Sequence, residues 1–294
     1  MAVAGLADPI AESVVHRPPA LLRPYVESYV GYRYAGFPPG QHMGLPSRHL
    51  TFVVSFDAPV ELAVLPDGTE GAWAYDALLG GLHTSPAVIR HDGFQHGIQL
   101  QVTPAGARGL FGLPAGEVAR AVLPLDAVWG RLAGELHDRL SAGREWRDRF
   151  AALDGVLLRA LSTRVELPSG ARRETTAAWE RLTTSAGRVG VATLAAEVGW
   201  SRRHLTEQFA TEYGVTPRSL ARVLRFERAR RLLVLPDHPT LAAVAAMCGY
   251  SDQAHMVHDW HDLAGSSPSA WMDSEVLPFV QDESAPEGSE WSHD

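Results

Sequence analysis

The chain has 294 residues, 46% hydrophobic and 20% charged, with a formal net charge of −8. This is the composition of a globular protein of about two domains, and no apolar run nears the roughly 18 residues of a membrane span. The single cysteine, Cys248, excludes a disulfide framework, a CxxC redox pair and a thiolate-cluster zinc site. The chain does not open with a basic start and an apolar stretch, so the sequence points to a reducing, cytoplasmic setting with no membrane partner.

Charge is unevenly spread. All 26 Lys and Arg positions are Arg. Residues 171–235 hold 12 of these Arg against 6 acidic residues, whereas residues 236–294 hold 11 acidic residues and no Arg. A basic segment thus stands between acidic ones, and local charge rather than the total sets attraction to a polyanion.

In the first half, residues 49–56 (HLTFVVSF) and 59–65 (PVELAVL) are short runs rich in Val, Leu and Phe, bounded by turn signals. In residues 96–102 (HGIQLQV), Ile98, Leu100 and Val102 alternate with polar neighbours, the period of a half-buried strand. Gly and Pro punctuate residues 35–116, and the pattern predicts a small β-barrel or double sheet. His42, His49, His83, His91 and His96 fall in this region without an HxH pair, so no metal or other cofactor is expected. Tyr25, Tyr29, Tyr32, Tyr34, Trp73 and Tyr75 read either as the lining of an effector pocket or as ordinary packing.

From about Leu125 the spacing turns helical. Leu132, Leu136 and Leu140 share one face, as do Phe150, Leu153, Leu157, Leu158 and Leu161. Residues 165–174 (VELPSGARRE) read as a linker. The chain therefore divides into residues 1–168, a β-barrel with following helices; 169–276, an all-α domain; and 277–294, an acidic tail expected to be disordered. The fold class is α+β.

The C-terminal third contains an internal repeat. Leu194, Ala195, Val198, Gly199 and Trp200 match Val244, Ala245, Cys248, Gly249 and Tyr250 at an offset of 50. Leu205, Phe209, Gly214 and Pro217 match Met256, Trp260, Gly265 and Pro268 at an offset of 51. Each copy reads as helix, tight turn, helix. Gly199 closes the first helix of copy one, and Ser201 caps the second. Leu205 and Phe209 then face inward, leaving Arg202, Arg203, Thr206 and Glu207 outward. In copy two, Ser251 or Asp252 caps, Met256 and Trp260 face inward, and Gln253, Ala254, His255, His258 and His261 lie near or on the outward side.

This is the layout of a helix-turn-helix, which offers the start of its second helix to the major groove. Arg suits guanine and Gln suits adenine. Between the copies, residues 217–235 run from Pro217 to just before Pro236 and predict one helix of 19 residues, about 28 Å long. It carries Arg218, Arg222, Arg225, Arg228, Arg230 and Arg231. Such a rod could hold two reading helices about one DNA turn apart.

Leu194-Ala195, Gly199, Ser201, Leu205, Phe209, Gly214 and Pro217, then Arg225-Phe226, Ala229 and Leu232-Leu233, then Val244-Ala245, Gly249 to Gln253, Gly265 and Pro268, together resemble the AraC/XylS family of bacterial transcription regulators. The resemblance covers about residues 175–273. It implies sequence-specific binding of double-stranded promoter DNA by two consecutive major grooves, and no enzymatic activity. It also implies a cupin-like N-terminal domain that binds a small-molecule effector or forms a homodimer, and contact with RNA polymerase in an activator. Residues 80–126 are similar to the N-terminal part of a subgroup of such regulators.

The residues expected at DNA are Ser201, Arg202, Arg203, Thr206, Glu207, Asp252, Gln253, His255, His258 and His261, with Arg218 and Arg222 on the rod. The family usually carries Arg and Lys about where His258 and His261 stand, and Asp259 and Asp262 add negative charge. The first motif is therefore expected to supply most of the affinity. The alternative is a cupin-type metalloenzyme fused to a DNA-binding module.

Overall fold

The computed structural model describes residues 9–163 and 171–274. The N-terminal part contains two antiparallel sheets. Its strands are β1 (Ile10–His16), β2 (Val26–Ala35), β3 (Gly40–Gly44), β4 (Leu50–Ser55), β5 (Val60–Val64), β6 (Glu70–Tyr75), β7 (Ala77–Gly80), β8 (Ala87–His91), β9 (Gln95–Val102) and β10 (Val122–Pro124). One sheet has six strands in the order β1-β2-β9-β4-β7-β10; the other has four, β3-β8-β5-β6.

The alternation in β4 and β9 explains how these layers stack. Leu50, Phe52 and Val54 oppose Val102, Leu100 and Ile98 across the ladder. All six side chains are buried on the face that meets the helices. Val53 and Leu78 point the other way and pack with Leu62 and Ala87 of the four-stranded sheet. The six-stranded sheet is thus the middle layer, with helices on one face and the smaller sheet on the other.

The expected barrel is not closed. Among the described residues no ladder joins the two sheets, and the double-sheet alternative describes the fold. The edges explain this. β10 is only three residues long and ends in Pro124, which has no N–H to donate. β6 begins with three exposed residues, Glu70, Gly71 and Ala72.

After β9, Thr103 caps a short helix, α1 (Pro104–Gly106), by accepting from the Gly106 amide at 3.0 Å. A π-helical turn over Ala107–Phe111 and a 3-10 turn over Ala115–Val118 follow. Then come α2 (Leu125–Trp129), α3 (Arg131–Ala142) and α4 (Trp146–Thr163). Leu136, Leu140, Phe150, Leu153 and Leu157 are buried, as their spacing predicts, while Leu132, Leu158 and Leu161 are only partly covered.

The C-terminal part is all helical: α5 (Arg173–Thr184), α6 (Val191–Glu197), α7 (Arg202–Tyr213), α8 (Pro217–Leu233), α9 (Leu241–Cys248), α10 (Gln253–Ala264) and α11 (Pro268–Ser274). The rod α8 has 17 residues, about 26 Å, two residues shorter than the prolines suggested because Val234 ends it. Most of the linker and the whole acidic tail lie outside the described residues.

Two cores serve the helical part. Leu194, Leu205, Phe209 and Leu220 join a continuous core that reaches through Tyr213, Val118 and Ala115 into the N-terminal layer. Val244, Met256, Trp260 and Phe226 form a second cluster. Leu45, from just after β3, is fully buried in that second cluster. The hydrophobic interior therefore crosses the boundary that the linker suggested.

Candidate nucleic-acid interface

The two repeats fold alike. In the first, α6 and α7 are separated by a turn at Gly199, whose φ is +73°. In the second, α9 and α10 flank Gly249, with φ +84°. The reading helices α7 and α10 are both 12 residues long. Ser201 caps α7, its hydroxyl accepting from the His204 amide at 3.2 Å. Asp252 rather than Ser251 caps α10, accepting from the His255 amide at 2.7 Å. That amide holds the Asp252 carboxyl below the usual carboxylate range. Both caps leave the start of the helix open to an approaching partner.

On α7, Leu205, Phe209 and Tyr213 are buried. Arg202, Arg203 and Glu207 are exposed. The Arg203 side chain, 89% exposed, donates through Nε to Glu207 Oε1 at 2.8 Å, which holds the guanidinium along the outer face. Thr206 is half-buried, and its hydroxyl donates to the Arg202 carbonyl.

On α10, Met256, Trp260 and Leu263 are buried. Gln253, Ala254, Val257, His258 and His261 line an open groove on the outer face. His255 turns sideways: Nδ1 lies 3.0 Å from the Ser251 hydroxyl, and the ring meets Tyr250 edge-on at 5.3 Å. The outer face of α10 therefore presents no arginine.

The sequence places Asp259 as added negative charge on the second motif, but its carboxylate does not lie on the outer face. Asp259 is buried, with Oδ1 accepting from Arg222 Nε at 2.8 Å and Oδ2 lying 3.5 Å from Arg225 Nη2. Arg222 also donates to Asp262 Oδ2 at 2.6 Å. Arg222, expected at DNA, thus faces the carboxylates of α10 and ties the second reading helix to the rod. Arg225 lies over the Tyr250 ring at 5.2 Å, and Arg230 is buried with its guanidinium 5.8 Å from the Phe226 ring centre. Arg218 and Arg231 are exposed. The rod's cations thus divide between holding the domain together and facing solvent.

Cys248 is buried, and burial pushes its thiol pKa up, so it stays protonated. Among the described residues, no group of three or more His, Cys, Asp or Glu is placed to hold a metal ion. His42 and His91 come close, with ring centres 5.7 Å apart. Of the aromatic candidates, Tyr29 is buried on the helical side and donates to Asp154 Oδ1 at 2.8 Å, while Tyr32 and Tyr34 are buried and stack on each other at 5.7 Å.

The N-terminal part grips the first reading helix at its far end. Arg108 holds Glu212 of α7 through two hydrogen bonds. The 3-10 turn packs so tightly that a Cβ on Gly116 would lie 2.2 Å from the Thr211 carbonyl oxygen, and one on Gly214 would lie 2.0 Å from the Ala119 Cβ. The Arg48 amide donates to Glu227 of α8 at 2.8 Å. The sequence carried no local signal for these contacts, because each joins residues about a hundred or more positions apart.

Residues 194–274 match a family described as a helix-turn-helix domain. The uncharacterized HTH-type transcriptional regulator YbfI of Bacillus subtilis (strain 168) is 40% identical over 58 residues, 20% of this chain and 20% of that protein. The match thus spans about a fifth of that relative's length. Among solved structures, ToxT from Vibrio cholerae O395 is similar at a TM-score of 0.49 and 10% identity, over 90% of this chain and 97% of that one. The C-terminal domain of AraT, a response regulator from Geobacillus stearothermophilus, is similar at a TM-score of 0.35 and 18% identity, over 41% of this chain and 100% of that one. The residues that match the helix-turn-helix family, 194–274, contain both α7 and α10 and the rod α8 between them.

Proposed function

We propose that this chain is a sequence-specific DNA-binding transcription regulator whose α7 and α10 enter two successive major grooves of promoter DNA. One observation carries the reading: two capped helices of equal length, each with its start exposed, are held by a single rod between them. Arg202 and Arg203 supply base and phosphate contacts on α7, and Gln253, His258 and His261 supply the contacts on α10. Thr206 and Glu207 flank the first set. Ser201, Asp252 and His255 act by setting the helix starts. Arg218, at the start of α8, is the rod residue best placed to meet phosphate, whereas Arg222 positions α10.

The protein is read as a binder rather than an enzyme, acting in the cytoplasm where promoter DNA lies. Its N-terminal double sheet modulates binding by shifting the contacts of Arg108, Gly116 and Arg48 with α7 and α8. A small-molecule effector or a second copy of the chain would do so by favouring one of two arrangements. An activator would also meet RNA polymerase.

Selection of bound fragments from a random duplex pool by the full chain tests this. One preferred sequence should emerge, with two elements about one helical turn apart. Recovery of no preferred duplex would refute the reading.

A further inference from the structure

The two reading faces differ in chemistry. The α7 face carries Arg202 and Arg203, with Arg203 paired to Glu207 along that face. The α10 face carries no arginine, and the groove along it is walled mainly by carbon. Its members Gln253, Ala254, Val257, His258 and His261 recur at one, four, five and eight residues from the first, which is one side of a helix. Opposite them lie Met256, Trp260 and Leu263 in the core. The groove is therefore continuous with the DNA-reading surface rather than a gap in the interior.

Only one base carries a methyl group in the major groove: thymine, whose 5-methyl apolar side chains recognise. Gln253 lies beside Ala254 and one turn before Val257, and a Gln amide pairs with the N6 and N7 edge of adenine. The nearby carboxylates reinforce this. Asp262 lies on the same helix, 3.9 Å from His258, and Asp259 faces inward against Arg222 and Arg225. This face has no guanidinium with which to fork onto a guanine.

We propose that the second reading helix is a thymine-methyl reader: Ala254 and Val257 receive the 5-methyl groups of an A·T segment, while Gln253 pairs with an adjacent adenine. The first helix, by contrast, reads guanine through Arg202 and Arg203. The binding site on DNA is therefore chemically asymmetric, with a guanine-bearing element under α7 and a thymine-bearing element under α10. This rests on the DNA-binding reading above.

The test uses the full chain and the duplex selected from a random pool. Each thymine is replaced in turn by deoxyuridine, which pairs identically but lacks the methyl group. At one or two thymines in one element, the replacement should weaken binding about fourfold, the worth of one buried methyl. In V257A the sensitivity should disappear at the thymine that Val257 meets, although binding to the thymine duplex is weaker. A254S, at an exposed position, should reduce it at the thymine that Ala254 meets and guards against a folding defect in V257A. A preferred duplex whose thymines are all indifferent to the replacement overturns the inference while leaving DNA binding intact. So does sensitivity that persists unchanged in both variants. Failure to select any duplex removes the DNA-binding reading, and this inference with it.

Discussion

Arg108 and Glu212, 104 residues apart in sequence, form a two-pronged ion pair, Nε to Oε1 at 2.8 Å and Nη2 to Oε2 at 2.6 Å. Both side chains are mostly covered, 21% and 12% exposed. A planar guanidinium matched to a carboxylate in this way fixes direction as well as distance. It holds the end of α7 on the N-terminal part and leaves the start of α7 free. R108A strands a mostly buried carboxylate and should lower stability by about 2 kcal/mol, read as a shift in the urea midpoint. R108A/E212A should recover part of that loss. A double variant no better than the single one would show that the pair contributes no coupling.

The 3-10 turn offers a second handle on the same contact. G116A places a methyl 2.2 Å from the Thr211 carbonyl oxygen, which α7 cannot yield without moving. Overpacking of this kind costs about 1–3 kcal/mol. The variant should melt earlier than the parent. An unchanged melting temperature would mean that the interface is looser than these contacts require.

Inside the helical domain, Asp259 should matter more than its place on a reading helix suggests. D259A leaves Arg222 and Arg225 without the carboxylate between them, and breaking a buried pair costs about 3–5 kcal/mol. D259A should therefore be less stable than H258A, whose ring is 77% exposed. Equal stability of the two variants would contradict the arrangement.

Much of this was legible in the sequence, and the limits have a physical cause. The repeat was visible because each copy needs a closing glycine, a cap and two core residues at helical spacing, all within about 25 positions. Gly199, Ser201, Leu205 and Phe209 do what their types predict. The strands were visible where one face is buried, as in β4 and β9. The partners of charged groups were not legible. Asp259 looked like a surface carboxylate because nothing in the local pattern says that Arg222 and Arg225 approach it. The burial of Leu45 was not legible either, because its pocket is built from helices about 180 or more positions later. The helix α5 was also missed, although Ala178 and Leu182 repeat at four residues.

Stability should depend on pH through the histidines of the sheet region. Burial, with the neighbouring His91, pushes His42 down from its ordinary 6.5 to about 4. Burial also lowers His83, whose Nδ1 lies 2.7 Å from the Ser85 carbonyl oxygen. Between pH 6.5 and 4 the unfolded chain takes up protons that the folded chain refuses. Stability is therefore full above pH 6.5 and falls as pH drops toward 4, by about 1.4 kcal/mol per pH unit for each proton. Glu27 is held down to about 2 by its hydrogen bond with His49, and its contribution is lost only below about pH 4.5, toward 2. Urea midpoints taken from pH 7.5 to 4.5 thus isolate the histidines, and H42Q should flatten the slope. A slope unchanged in H42Q would assign the effect elsewhere.

The measurement closest to the central claim is a titration of the selected duplex with the full chain, with R202A/R203A and with H258A/H261A, at several salt concentrations. Log affinity should fall linearly and steeply with log salt, since arginines displace counterions from phosphate. The double arginine variant should lose far more affinity than the double histidine variant and show a shallower salt slope. A flat salt response, or equal losses from the two pairs, would mean that the arginines of α7 do not carry the binding.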